Sequence, residues 1–547
     1  MTRLKMMAVV PAVAIGLLVA SSAGAGENLP PRNPHMADSF WPIIHGGSDG
    51  SKISPVAGPM GKSRPLRADE IKWKATGPME SLNTSYSSVY PDGRRVMWVG
   101  SHQQLIKLDA DTLETLSTYV MRTGTFLGPD DIERIDRHYD RLIAKGDNQA
   151  IFDQADKYIG AALKSEQMGN AYSLLNRANE HLFYFKDDAT GKRYLRFYGD
   201  AVEGDAGSEI VLRREWEMPL FEGKPFIPFA TNMTYDGWLV LASNTGMMLA
   251  VKSDFSDYRY LNLVPKERKI EATNAMQSFV RNGIAVDPDN GIYVVTHDFM
   301  ARVQWTGNDF SINPADGGWI APYPPGRSGS GTSPALMGWG DEDKLVIIAD
   351  GENKNLTAFW RDKIPADWKG IDGYDRRVAG VAPIMFHDQL DPRARIENAA
   401  TVLGYGVFFA NEVPSKDPAP QGKNFVKTFL ASAISSGLNG SEAVGASKWV
   451  WDPKQRKLNK QWTSPFKLTG GMCTISSVTR VLYCISRRDG AFNLEGIDWD
   501  NGKSKVHYKL GNSVKFFPWN NMVIAPNGAV DLFNWLGMGI ARMQPKK

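Results

Sequence analysis

A degenerate strand–turn–strand unit recurs from Glu80 to the C-terminus, and no other feature limits the possible folds so tightly. Each copy opens on a small polar residue, usually Asn, then passes through a short β stretch, a tight turn and a second apolar stretch. Thr231-Asn232-Met233-Thr234-Tyr235-Asp236-Gly237 leads into Trp238-Leu239-Val240-Leu241. Arg281-Asn282-Gly283-Ile284-Ala285-Val286 turns at Asp289-Asn290-Gly291 into Ile292-Tyr293-Val294-Val295. Near the end, Asn521-Met522-Val523-Ile524-Ala525 turns at Asn527-Gly528. A unit of this kind at a spacing of roughly 40–60 residues predicts an all-β chain folded as a β-propeller. Units opening near Asn83, Asn176, Asn232, Asn282, Ser333, Asn398, Cys473 and Asn521 predict eight blades, or seven if the weak second unit is an insertion.

The pattern divides the 547 residues into a signal segment (1–25), an extended N-terminal segment (26–70) and the propeller (71–547). Arg3 and Lys5 precede an apolar run from Met6 to Ala20 and an Ala23-Gly24-Ala25 cleavage signature, as in secretory leaders. The run is short for a membrane span and holds Pro11, so an uncleaved anchor is the lesser reading and no integral span is expected after cleavage. Export to a periplasm or the outside is therefore the expectation. The 26–70 segment, rich in Pro, Gly and Ser, is expected to lie across the propeller surface. Asp130–Lys145 breaks the β pattern with a helical stripe of Ile132, Ile135, Tyr139, Leu142 and Ile143, ended by Gly146. Ile151 to Lys164 repeats the stripe, so a helical hairpin near 130–165 is expected, packed on the rim or lying over the channel.

Charge and cysteine usage narrow the partners. The formal charge of +3 falls to +1 without the leader, so no basic excess exists to attract nucleic acid. Cys473 and Cys484 flank the strand pair Thr474-Ile475-Ser476 and Val481-Leu482-Tyr483; pairing 476 with 481 sets 473 opposite 484, which suits a cross-strand disulfide in an oxidising compartment. A metal or redox role for the pair is the alternative.

With the innermost strand first in each blade, the starts of first strands and the loops joining second and third strands share one mouth of the channel. The first set contributes Asn83, Asn232, Asn282, Glu397-Asn398 and Asn521. The second contributes His102, Asn244, His297-Asp298, Asp350-Gly351-Glu352, Asn411-Glu412, Arg487-Arg488 and Asn534. Converging carboxamide and carboxylate oxygens suit calcium or another divalent metal, with Asn83, Asn232, Asn282, Glu397 and Asn398 as candidate ligands. Asn is also common at strand ends for purely local bonding. His102 and His297 are candidates for proton transfer, with Asp298 or Glu412 as base or orienting group. Arg487, Arg488 and Asn244 are candidates for holding a small-molecule substrate. No phosphate loop or dinucleotide fingerprint occurs.

Two stretches resemble the quinoprotein-like propellers, the eight-bladed family that includes pyrroloquinoline-quinone (PQQ) dehydrogenases. Trp41-Pro42-Ile43-Ile44-His45-Gly46-Gly47, running on to Ser54-Pro55, resembles the opening segment of that family. Gly496-Ile497-Asp498-Trp499-Asp500-Asn501-Gly502-Lys503 resembles its repeat, with Val450-Trp451-Asp452-Pro453 a looser copy. The resemblance implies the fold and an exported location. It implies PQQ less directly, since the family sets adjacent cysteines against the quinone and these two lie eleven positions apart. In residue type the mouth also resembles the calcium-dependent propeller lactonases. Three functions remain open: a metal-dependent hydrolase or lyase, a quinoprotein-like oxidoreductase, and a non-catalytic binding or assembly propeller.

Overall fold

The computed structural model describes residues 28–121, 127–160, 166–265, 279–324, 329–351, 354–386, 396, 398–416, 431–469, 472–517 and 521–546. The leader and Glu397 lie outside the described residues. Eight sheets follow one another along the chain, each the blade of a β-propeller. In blade one Thr84–Tyr86, Val96–Val99, Gln104–Asp109 and Thr115–Val120 pair in sequence order. Inner strands are buried on both faces because blades pack face to face, whereas outer strands such as Thr115–Val120 and Ile210–Glu217 alternate toward solvent.

Blade two, weak in sequence, is a blade all the same: three full strands (His181–Lys186, Arg193–Asp200, Ile210–Glu217) with Leu174-Leu175-Asn176 bridged along the inner edge. Blade eight takes three strands from the C-terminus and its outermost strand, Ile71–Ala75, from the N-terminal side, pairing Trp73 with Ala541. This shared sheet closes the ring without a covalent bond. Docking between blades is irregular. Trp305 donates its indole N–H to Asp236 of the preceding blade (3.0 Å), and Trp451 does the same to Asp343 (2.8 Å), while other blades use different contacts.

The cysteine register follows the expected pairing, with Ile475 opposite Leu482 and Ser476 opposite Val481. Cys473 and Cys484 form the disulfide with Cα atoms 4.7 Å apart, within the interblade core of Ile475, Leu482, Trp462 and Trp499.

The N-terminal segment departs from its expected surface course. Residues 33–54 enter the ring of innermost strands from the end opposite the mouth, here the base, and plug it. Trp41 and Pro42 carbonyls accept the N–H groups of Tyr86 and Leu175 in blades one and two. Ser48, Asp49, Ser51 and Lys52 carbonyls accept those of Val286, Leu336, Val402 and Ile475 in blades four to seven. Ile53–Ser54 then runs parallel to Thr474–Ser476. Inner strands have no neighbour on the channel side, so their edge N–H groups need partners. The apolar run Trp41, Ile43 and Ile44 is buried, too apolar for a surface strap.

The helical hairpin forms as expected, with α1 (Pro129–Lys145) capped by Gly146 in the left-handed region and α2 (Asn148–Ala155) capped by the Asp147 carboxylate. Its apolar stripe packs on the mouth end of blades one, seven and eight, against Leu82, Phe516, Trp535 and Leu536. Asp140 of α1 accepts the Val514 N–H (2.6 Å) and the Ser513 hydroxyl (3.0 Å), fixing the hairpin to the approach to blade eight. One turn away, Asp136 is buried with neither carboxylate oxygen hydrogen-bonded. Burial pushes its acid up to about 8, only partly offset by Lys515.

Because the folded state holds the Asp136 proton more tightly than the unfolded chain, its contribution to stability is complete below about pH 4 and is lost as pH rises through about 8. Asp136→Asn should therefore raise the melting temperature at pH 8, by roughly 1 °C per kcal/mol relieved in a chain of this size, and leave it unchanged at pH 4. Calorimetry at the two pH values measures the difference, and equal shifts at both would contradict the assignment.

Candidate functional site

The plug makes the channel blind at its base and brings Lys52 and His45 into it. A hydrogen bond from Lys52 N–H to His45 C=O (2.9 Å) closes the plug's loop. Both residues hold positive φ (His45 71°, Lys52 59°), a conformation non-glycine residues seldom adopt and one that clusters at functional sites. The Lys52 side chain, 2% exposed, donates to the Ala399 carbonyl. One residue earlier, the Asn398 N–H donates to the Glu412 carboxylate (3.0 Å), so ammonium and carboxylate hold adjacent residues of one strand entry. Burial holds Lys52 down to about 7, with Glu412 pulling the other way. Burial, reinforced by Lys52, depresses His45 to about 3 and keeps its imidazole neutral.

Tyr172, from the helical turn before blade two, reaches the same region. Its ring meets His45 edge-on at 5.8 Å and its hydroxyl lies 3.4 Å from Ser333 Oγ. Ser333 Oγ accepts the Gly283 N–H (2.9 Å), and a Cβ at Gly283 would stand 2.7 Å from the Tyr172 ring, so glycine is required for this approach. Asn282 beside it donates to the Ser330 carbonyl (2.8 Å). Lys52, His45, Tyr172, Ser333, Asn282, Asn398 and Glu412 thus bring an amine, a carboxylate, hydroxyls and amides to one polar region.

The other candidates occupy different settings. Asn232 is not at the mouth: blade three starts at Pro228, and Asn232 lies near the base end of Pro228–Met233. Its amide donates to Ser48 and Ile284 carbonyls (3.0 and 2.8 Å) and accepts its neighbour's N–H, which ties plug to blade. The repeat misled here because the following turn, Asp236-Gly237, comes only four residues after Asn232, whereas Asp289 follows Asn282 by seven. Asn83 donates toward the His181 ring (3.0 Å), leaving its amide oxygen buried without a partner, as is that of Asn521 in the adjacent blade. Asn244 anchors the Phe279 N–H through its backbone (2.8 Å).

His102 sits on a hairpin clamped from beneath by Glu80, whose carboxylate accepts N–H groups from Ser101, His102 and Gln103 at 2.6–3.0 Å. Burial pushes the Glu80 acid up to about 7 despite these bonds. His297 pairs with Asp298 (2.7 Å), half-buried at the mouth end of blade four. The arginines are held by the fold. Arg488 grips Glu495 with two bonds (2.7 and 2.9 Å). Arg487 lies over Phe492 and donates to Gly437, Gly490 and Asn512. Among the described residues no three His, Cys, Asp or Glu side chains form a metal-binding group. The two cysteines are bonded to each other within the core between blades six and seven.

Sequence reasoning missed His45, Lys52, Tyr172, Glu80 and His181. For the first two, the buried apolar run at Trp41–Ile44 was the available signal, since it argues against a surface course.

No family model matches the chain. It is 27% identical over 536 residues to an uncharacterized protein of Archaeoglobus fulgidus, spanning 94% of this chain and 89% of that one. Among solved structures it is similar to BamB from Moraxella catarrhalis (9% identity, 67% of this chain and 94% of that one, TM-score 0.37). It is also similar to the C-terminal WD40 domain of Sif2 (10% identity, 90% and 97%, TM-score 0.39). The fold assignment itself rests on the eight sheets.

Competitive acetylation of the native protein with trace acetic anhydride, read by peptide mass spectrometry across pH, tests the amine. Lys52 should titrate near 7, well below the ordinary lysine value near 10. Titration with the surface lysines would contradict the assignment.

Proposed function

We propose that this protein is an exported enzyme that binds a small polar molecule in the blind channel and acts on it by proton transfer, as a hydrolase or lyase, with Lys52 and Glu412 as the working pair. The observation that carries this reading is Lys52, buried at mid-channel, held near neutrality and one residue removed from the contact of Glu412. A general base works best when its pKa lies near the working pH, and buried lysines reach that range. The neutral amine can take a proton from carbon or water, and Glu412 can compensate the charge that forms. Neutral His45 and the Tyr172 hydroxyl are suited to orient a carbonyl or hydroxyl group. The disulfide fits an oxidising compartment, which supports export. No helix among the described residues is long and apolar enough to cross a membrane.

A second reading keeps a divalent cation, best calcium. It is favoured by the buried, unpartnered amide oxygens of Asn83 and Asn521 at the starts of adjacent blades. Asn282 and Asn398 stand at comparable starts, and Glu397 is a further candidate ligand. His102 and His297–Asp298 would then serve proton transfer from the mouth.

Turnover screened over lactones, 2-oxo acids and hydroxy acids separates the two. On the first reading Lys52→Met and Glu412→Gln each lower kcat by roughly 10²–10⁴-fold with an unchanged circular dichroism spectrum. His102→Ala and His297→Ala then cost less than tenfold, and EDTA has no effect. Full activity in Lys52→Met, or loss of activity on chelation with recovery on adding calcium, would overturn the first reading.

A further inference from the structure

At the base, one arginine lacks the partner that its burial calls for. Arg361 follows the third strand of blade five, Asn355–Trp360, and is only 2% exposed. Its guanidinium lies over the Trp339 ring, 4.4 Å from the centroid, and one Nη donates to the Gly338 carbonyl. Its Nε and other Nη have no hydrogen-bond partner, and among the described residues no carboxylate lies within ion-pair distance.

Two other arginines at the same end show what is missing. Arg302 is paired with Asp287 (3.2 Å), and Arg542 grips Asp531 with two bonds of 2.6 and 2.7 Å. Asp287 cannot also serve Arg361, because Arg302, the Tyr293 hydroxyl and the Gly291 and Asp289 N–H groups already occupy it. The buried Asp49 feels the Arg361 charge but accepts from the Ser51 N–H instead (3.1 Å). A buried cation left unpaired is costly, and a native orphan of this kind calls for an absent partner.

A cavity of about 420 Å³ adjoins this group, with Arg361 in its wall. Leu29, Pro31, Pro288 and Trp339 give it apolar faces, and Lys344 adds a second cation, itself paired with Asp362 (3.1 Å). Asp287, Asp289 and Asp362 also line it; Asp287 is paired with Arg302 and Asp362 with Lys344, and Asp289 disfavours a bare multivalent anion there. We propose that this cavity is a second ligand site, for a small organic carboxylate whose anionic group pairs with Arg361 while its apolar body packs on Trp339 and the Leu29–Pro31 strap. An apolar body gains from those walls, and a single negative charge meets less repulsion from Asp289 than phosphate does. The site is separate from the Lys52 channel and does not depend on the reading given for it.

Thermal denaturation and calorimetric titration of the native protein with benzoate, succinate and inorganic phosphate, at fixed ionic strength, test the proposal. Benzoate should raise the melting temperature saturably and bind at one site per chain, more tightly than phosphate. Arg361→Gln should weaken benzoate binding at least tenfold, and Arg361→Lys should retain part of it. Lys52→Met should leave it unchanged. Absence of benzoate binding to the native protein up to 50 mM would overturn the proposal without recourse to any variant. So would equal binding by a folded Arg361→Gln, binding lost with Lys52→Met, or phosphate bound more tightly than benzoate.

Discussion

The hydrogen bonds between residues 33–54 and the innermost strands are the constraint on which the rest of this molecule depends. A propeller's inner strands present unpaired backbone groups to its channel, and here the chain's own N-terminal segment answers them in blades one, two and four to seven. Blade three is joined through the Asn232 side chain instead. Each bond contributes on the order of 1 kcal/mol net, but their combined effect is topological. They close the base, bury Trp41, Ile43 and Ile44, and hold Lys52 and His45 in left-handed backbone geometry. The segment then leaves along blade seven and supplies the last strand of blade eight, so one stretch both plugs the channel and closes the ring.

Burial then sets the chemistry. Water excluded from mid-channel lowers Lys52 to near neutrality and keeps His45 uncharged. The same effect raises Glu80 and Asp136, whose carboxylates sit under the mouth hairpin and within the helical insertion. Lys52, Glu80 and Asp136 are thereby brought near physiological pH by their burial. His297 lies half-buried beside Asp298 at the mouth. This is why the channel amine, rather than a histidine, carries the preferred functional reading.

Much of the fold was legible because period and turn chemistry are local. The recurring blade units, the Cys473–Cys484 register and the stripe of Ile132, Ile135, Tyr139 and Leu142 follow from spacing alone. What was not legible is long-range. Nothing local in Gly46–Lys52 says that a ring of blades will surround it. Asn232 shares the appearance of Asn282 but not its offset from the following turn, so it occupies the wrong end of its strand for a mouth ligand. Arg487 and Arg488 read as ligand-holding cations until the fold provides Glu495, Asn512 and the Gly437 carbonyl. Residue type shows what a side chain can hold, and only its neighbours show what it already holds.

Hydrogen–deuterium exchange resolved to peptides tests the plugged channel most directly. The account predicts that residues 36–54 exchange among the slowest in the protein, together with the N–H groups of Val286, Leu336, Val402 and Ile475 that they accept. Exchange of 36–54 within seconds, at the rate of an exposed strap while the blades stay protected, would contradict it.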